Sequence, residues 1–161
     1  MRDLTMLPDL ELALVQTTLA WHDCAANHAH FETLLEQAKG ADLIVLPEMF
    51  TTGFSMDSAA LAEPEQGPTH AWLREQARRL DAVITGSLIV EAADGSHRNR
   101  LLWARPDGEV LHYDKRHLFR MAGEQALHAG RDPGAVRAQG LAGAPADLLR
   151  PALPGVEPRP P

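Results

Sequence analysis

Glu48, Lys115 and Glu124 are of types that can act together on an amide. Glu48 closes the run LIVLPE, directly after Pro47, while Lys115 and Glu124 both fall in YDKRHLFRMAGE. A carboxylate beside an ammonium is held in its charged form and can serve as a general base. The ammonium can in turn steady the oxyanion of a tetrahedral intermediate. Such a set suits acyl transfer from an amide, provided that a nucleophile is present. The same residues also read as an ion-pair network on the rim of a sheet, and ion pairs are commoner than active sites.

The elements around them must place these groups together. Leu43-Ile44-Val45-Leu46 is a continuous β-rich apolar run, as expected of a strand buried on both faces. Pro47 lacks a backbone donor, so pairing should stop there and leave Glu48 at the strand mouth, where α/β folds place catalytic groups. Upstream, Leu10 to Leu19 begins with an alternation that puts Leu10, Leu12 and Leu14 on one face of a first strand. Asp23 can cap a helix to about Lys39 with Phe31, Leu34, Leu35 and Ala38 on its apolar side and Gly40 beyond its end. Together these make a strand–helix–strand unit, most simply a right-handed parallel crossover.

Downstream, Met56 to Glu65 reads as a short helix and turn. Thr69 to Leu80 reads as a helix with Trp72, Leu73, Ala77 and Leu80 on one face and Arg74, Arg78 and Arg79 outward. Ala82 to Val90 reads as a third strand, with Gly86 where another backbone or a substrate comes close. Asp94-Gly95 marks a turn, and two further strands, Asn99 to Arg105 and Glu109 to Tyr113, flank Pro106-Asp107-Gly108. The charged segment that follows has Leu118, Phe119 and Met121 as apolar anchors, which indicates an ordered loop.

The chain's 161 residues, 45% of them hydrophobic, suffice for one domain with a real core. A net charge of −7 argues against a nucleic-acid or anionic-membrane surface. No stretch is long and apolar enough for a signal peptide or a transmembrane helix, so a cytoplasmic location is the default. The single cysteine, Cys24, excludes an internal disulfide and any multi-cysteine zinc site. From about Arg131 the composition breaks: the rest holds seven of the twelve prolines and no aromatic residue, isoleucine, lysine, serine or threonine. By composition this is a disordered tail. It also has the Ala, Gly, Pro and Arg excess of a GC-rich gene read out of frame.

LIVLPEMFTTGFSM and YDKRHLFRMAGE resemble the first two motifs of the carbon–nitrogen hydrolase (nitrilase) superfamily, and the longer matches around them resemble its ω-amidase-like branch. The resemblance covers about Leu10 to Gly130. It implies an α/β fold, the N-terminal half of an incomplete nitrilase-type α-β-β-α sandwich, with a disordered C-terminal tail. Its implied division is 8–130 for the hydrolase part and 131–161 for the tail. It implies hydrolysis of the side amides of 2-oxo acids such as 2-oxoglutaramate, with no cofactor and no metal. The small-molecule amide would be the partner, with no nucleic acid or membrane, and a homo-oligomer is allowed. Carried across, Glu48 matches the family's general base, Lys115 the lysine of the tetrahedral intermediate, and Glu124 a further glutamate that positions lysine and substrate. Asn99 falls at the family's usual asparagine, in a structural role.

The family's nucleophile is a cysteine at the end of the next strand beyond the lysine, and here the proline-rich tail, without cysteine, occupies that window. The expectation is therefore a truncated or frame-shifted member, inactive as written. The alternative is a non-catalytic product or binding module that pairs with a full-length subunit. Cys24, in WHDCAANHAH, matches no catalytic element of the family and reads as a small half-exposed or buried thiol. Cys24 and His28 would share a helix face, but two soft ligands without a third make a weak metal site. His70, His97, His112, His117 and His128 are scattered and read as surface or loop residues, with His117, two residues after Lys115, placed to line the same pocket.

Overall fold

The computed structural model describes residues 9–119 and 123–130. The tail expected at 131–161 and the anchor Met121 lie outside the described residues. The elements in chain order are β1 (Leu12–Leu14), α1 (Cys24–Leu35) running into a 3₁₀ turn (Glu36–Ala38), β2 (Leu43–Val45), α2 (Ser58–Leu61), β3 (Glu63–Pro64), α3 (Pro68–Leu80), β4 (Val83–Glu91), β5 (His97–Ala104), β6 (Val110–Asp114) and a 3₁₀ turn (Glu124–Ala126).

The strands form one sheet in the order β1-β2-β4-β5-β6, with β3 paired to the far end of β4. β1, β2 and β4 are parallel neighbours, as the crossover reading requires, while β5 and β6 are added by antiparallel hairpins. Asp23 caps α1 as expected, its carboxylate accepting from the Ala26 amide at 2.9 Å. α3 starts with Pro68 in its first turn, where a missing N–H costs nothing, and places Arg78 and Arg79 in its last turn, where cations favour the helix dipole.

The two long helices, α1 and α3, cover one face of the sheet. Phe31 and Leu35 from α1 and Leu73, Ala77 and Leu80 from α3 meet Ile44, Leu46, Ile84, Leu88 and Leu102 from the strands. The register puts Leu12 beside Leu43 and Leu14 beside Val45, on the opposite face, where Leu43, Val83 and Trp103 form a smaller cluster. The fold is thus a mixed α/β sheet with one helical layer, matching one side of the expected sandwich.

Three expectations need correction. The first strand is three residues long, much shorter than Leu10 to Leu19; its leucines do share one face, but it is the open one, with Leu12 51% and Leu14 71% exposed, while Ala13 and Val15 turn to the helices. The run at β2 is also shorter than Ala41 to Glu48 and is not buried on both faces throughout, since Val45 is only half-buried. Pairing beyond β2 continues by one bond, Leu46 N–H to Thr85 O at 2.8 Å, and ends at Pro47. Gly86 does face a close neighbour, but that neighbour is neither backbone nor substrate. A Cβ there would lie 2.8 Å from the Phe50 ring and 3.0 Å from Leu46 Cβ. Phe50 is fully buried, edge-on to Phe31, and has no room to yield.

Candidate active site

Glu48 leaves β2 on a loop that is pinned to β4. The Met49 amide donates to Ser87 Oγ at 3.0 Å and the Phe50 amide to Ser87 O at 3.1 Å. The loop then closes as a tight turn, with Thr52 and Gly53 amides both returning to Met49 O, and Met49 takes a left-handed φ of 49°. Non-glycine residues rarely adopt that conformation, so the surrounding bonds hold it. A carboxylate at the end of a strand is thereby carried on a fixed turn.

Lys115 follows β6 directly, its amide donating to Asn99 O on β5 at 2.8 Å. Glu124 opens the last 3₁₀ turn, after Gly123 at φ +91°. That segment is laced back to the sheet by His128 N–H to His97 O and by Gly130 N–H to Lys115 O. Leu127 beneath it packs with Met49 and Ile89. Of the expected anchors, Leu118 is partly buried in this cluster, whereas Phe119 is 54% exposed and acts through its backbone instead.

These three routes converge. Lys115 Nζ lies 2.8 Å from Glu48 Oε1, 3.0 Å from Glu124 Oε1 and 2.9 Å from Glu124 Oε2. Asn99 Nδ2 donates to Glu48 Oε1 at 2.7 Å and to Glu124 Oε1 at 3.2 Å. The Phe119 amide donates to Glu124 Oε2. The Phe54 ring lies beneath the ammonium, 5.7 Å from Nζ to its centre, within cation–π range.

The two carboxylates differ in access. The Glu48 side chain is 47% exposed and that of Glu124 is 0%. Burial alone would push the Glu124 carboxyl up; the Phe119 amide, Lys115 and Asn99 outweigh it and hold the group below the usual carboxylate range. Burial likewise works to lower Lys115, but Glu48 and Glu124 outweigh it and raise the ammonium above its ordinary value. Lys115 is therefore a standing cation and Glu124 a standing anion, neither of which can exchange protons readily at neutral pH. Glu48 is the group with both a charged partner and an open side.

Cys24 belongs to another neighbourhood. Its sulfur neighbours are His28 at 3.8 Å, Glu63 at 3.5 Å and Thr69 at 3.8 Å. Burial, countered in part by Thr69 and reinforced by Glu63, pushes the thiol up to about 11, so it is protonated at neutral pH. His28 does share its helix face, stacked on Trp72 at 4.6 Å between ring centres. Among the described residues no group of three or more Cys, His, Asp or Glu is arranged to hold a metal ion. His117 is exposed and makes no hydrogen bond to the three charged groups among the described residues.

The sequence reading brought Glu48, Lys115 and Glu124 forward but gave Asn99 only a structural place. The signal in the sequence was an asparagine, a residue type depleted from strands, within a strand; the structure shows it buried near the start of β5. The Phe119 amide and the Ser87 hydroxyl carried no such signal.

Residues 11–136 match the carbon–nitrogen hydrolase family. The chain is 49% identical over 132 residues to Omega-amidase YafV of Yersinia enterocolitica, covering 81% of this chain and 51% of that protein. It is 25% identical over 134 residues to 2-oxoglutaramate amidase of Bacillus subtilis, covering 81% of this chain and 52% of that one. Among solved structures, a carbon–nitrogen hydrolase superfamily protein from Xanthomonas campestris superimposes with a TM-score of 0.75 at 48% identity, covering 78% of this chain and 48% of its own. The chain thus spans about half the length of the curated relatives it matches. With the family match running from β1 through the loop that carries Glu124, the chain belongs to the carbon–nitrogen hydrolase family.

Proposed function

We propose that Glu48, Lys115 and Glu124 are the base, the oxyanion cation and its fixed counter-charge of an amide hydrolase site for side amides of 2-oxo acids. The observation that carries this is the single ammonium, Lys115, bonded to one open and one fully buried carboxylate. With the thiol nucleophile that the family resemblance implies, and that Cys24 does not supply, Glu48 would take the thiol proton as the sulfur bonds to the amide carbon. The oxygen becomes an oxyanion, and Lys115 N–H receives it. Collapse breaks the C–N bond, and the proton held by Glu48 leaves with ammonia. Water, deprotonated by Glu48, then opens the thioester to the acid and regenerates the thiol. Lys115 stays protonated throughout: both carboxylates favour its charged form at rest, and while Glu48 holds the proton the Glu124 carboxylate and the oxyanion do so. The names of the Yersinia and Bacillus relatives support the amide class and 2-oxoglutaramate as its first test substrate.

The test joins this chain through Gly130 to the remaining half of the Yersinia relative. The chimera is expected to release ammonia from 2-oxoglutaramate. In it, Glu48→Gln should lower kcat/KM by roughly a thousandfold, and an unaltered rate would reject the assignment of the base.

One observation favours a second reading, a non-catalytic module that pairs with a longer subunit. Leu12 and Leu14 on the edge strand β1, and Leu10 just before it, are all exposed, and edge strands with apolar faces associate. Size-exclusion chromatography decides it: the module reading expects self-association or aggregation of the polypeptide alone, and a clean monomer with sharp thermal unfolding counts against it.

A further inference from the structure

Asn99 is 1% exposed on β5, opposite Ile89 on β4, with its carbonyl taken by the Lys115 amide. Its side chain faces two carboxylates, Glu48 on the loop after β2 and Glu124 on the closing turn. Ionised carboxylates accept only, so the amide nitrogen must point toward them, and one N–H is available for each. The result is a closed ring of four groups: Glu48, Lys115, Glu124 and Asn99, in which both Oε1 atoms are shared between the ammonium and the amide. Two anions side by side repel, and a single ammonium must hold both. The amide adds two donors without adding charge, so Lys115 remains the cluster's one cation. Among the described residues, Glu48 Oε2 receives no hydrogen bond.

We propose that Asn99 is a positioning residue: its amide fixes Glu48 Oε1 against Lys115 and leaves Glu48 Oε2 as the oxygen that meets the reacting proton. This rests on the reading of Glu48 as the base. A purely structural asparagine would fill a core position, and its N–H groups would be indifferent to the state of either glutamate.

The experiment is nuclear magnetic resonance on the 161-residue polypeptide. In the parent protein, the two Asn99 side-chain amide protons should be displaced from ordinary asparagine positions. In Glu48→Gln, a change at a half-exposed group, one of the two should move while its sister, bonded to Glu124, stays. In the isosteric Asn99→Asp, a third carboxyl enters the ring, and one group of the cluster should retain a proton to about two pH units above the usual carboxylate range. Folding of that variant only at acid pH would report the same proton uptake. Asn99 amide protons unmoved by Glu48→Gln would overturn the proposal, as would an Asn99→Asp cluster that titrates like free carboxylates. Because no turnover enters the readout, an inactive chimera would reject the amidase reading, and with it the role given to Glu48 Oε2, while the displaced Asn99 amide would still show that Asn99 fixes Glu48 Oε1 against Lys115. An active chimera with an indifferent Asn99 amide would do the opposite.

Discussion

Given 2-oxoglutaramate, the 161-residue polypeptide is expected to turn over about a million-fold more slowly than a complete ω-amidase. Among the described residues, Glu48, Lys115, Glu124 and Asn99 handle charge and protons, and none of the four brings a thiol to the amide carbon. Catalytic groups that act as a unit lose nearly all of their effect when the nucleophile is removed. Cys24, the chain's one cysteine, does not replace it, because its thiol is pushed up to about 11 and its neighbours are His28, Glu63 and Thr69. Nor can Lys115 attack as an amine, since two carboxylates hold it protonated. The remaining route is direct attack of water assisted by Glu48, which saves one proton transfer but not the covalent step. Ammonia release measured with and without the 2-oxo acid amide would check this. Turnover within a hundredfold of an intact relative would sink it and would require a nucleophile outside the set described.

The local patterns were legible because each rests on short-range chemistry. Asp23 at a helix start acts through its own side chain on the next turn, Gly40 after the helix end and Pro47 at a strand end act through their own backbone, and the structure places all three at element boundaries. The approach of Glu48 to Lys115 was also readable, but only through the resemblance of two motifs, since nothing in their spacing brings the ends of β2 and β6 together. What escaped was tertiary. Alternation shows that Leu12 and Leu14 share a face, yet it cannot say which side of the sheet the helices will take. β3, two residues that include Pro64, is too short to carry a periodic signal and exists because β4 extends far enough to pair with it. Asn99 looked like a strand residue with a family habit. Its two carboxylate partners come from loops distant in sequence, so its work is visible only once both loops have closed over it.

Lys115→Met should destabilise the protein by about 3 kcal/mol, far more than any change at the exposed end of the same ion pair. Methionine keeps the length of the stem and removes the charge. Glu124 would then be fully buried with a negative charge answered only by the Phe119 amide and Asn99. Stranding one member of a buried pair leaves the desolvation penalty in place without its compensation, whereas Glu48→Gln, at a side chain 47% exposed, should cost under about 1 kcal/mol. The pH dependence has a definite sign. In the parent protein Glu124 is held below 4.5, so its contribution is full above that value and is lost as pH falls through the folded-state value. Without the ammonium, burial pushes the carboxyl up, and the variant takes its proton at higher pH. The stability gap between the two proteins must therefore narrow on acidification. It must narrow again in strong alkali, because Lys115, raised above 10.5, contributes fully below that value and loses its contribution as pH rises through its folded-state value. Urea unfolding of both proteins across this range reads the gap directly. A gap of equal size at neutral and acid pH would mean that Lys115 supports the fold through the packing of its stem, and that the ammonium bridging Glu48 and Glu124 contributes nothing to holding these loops together.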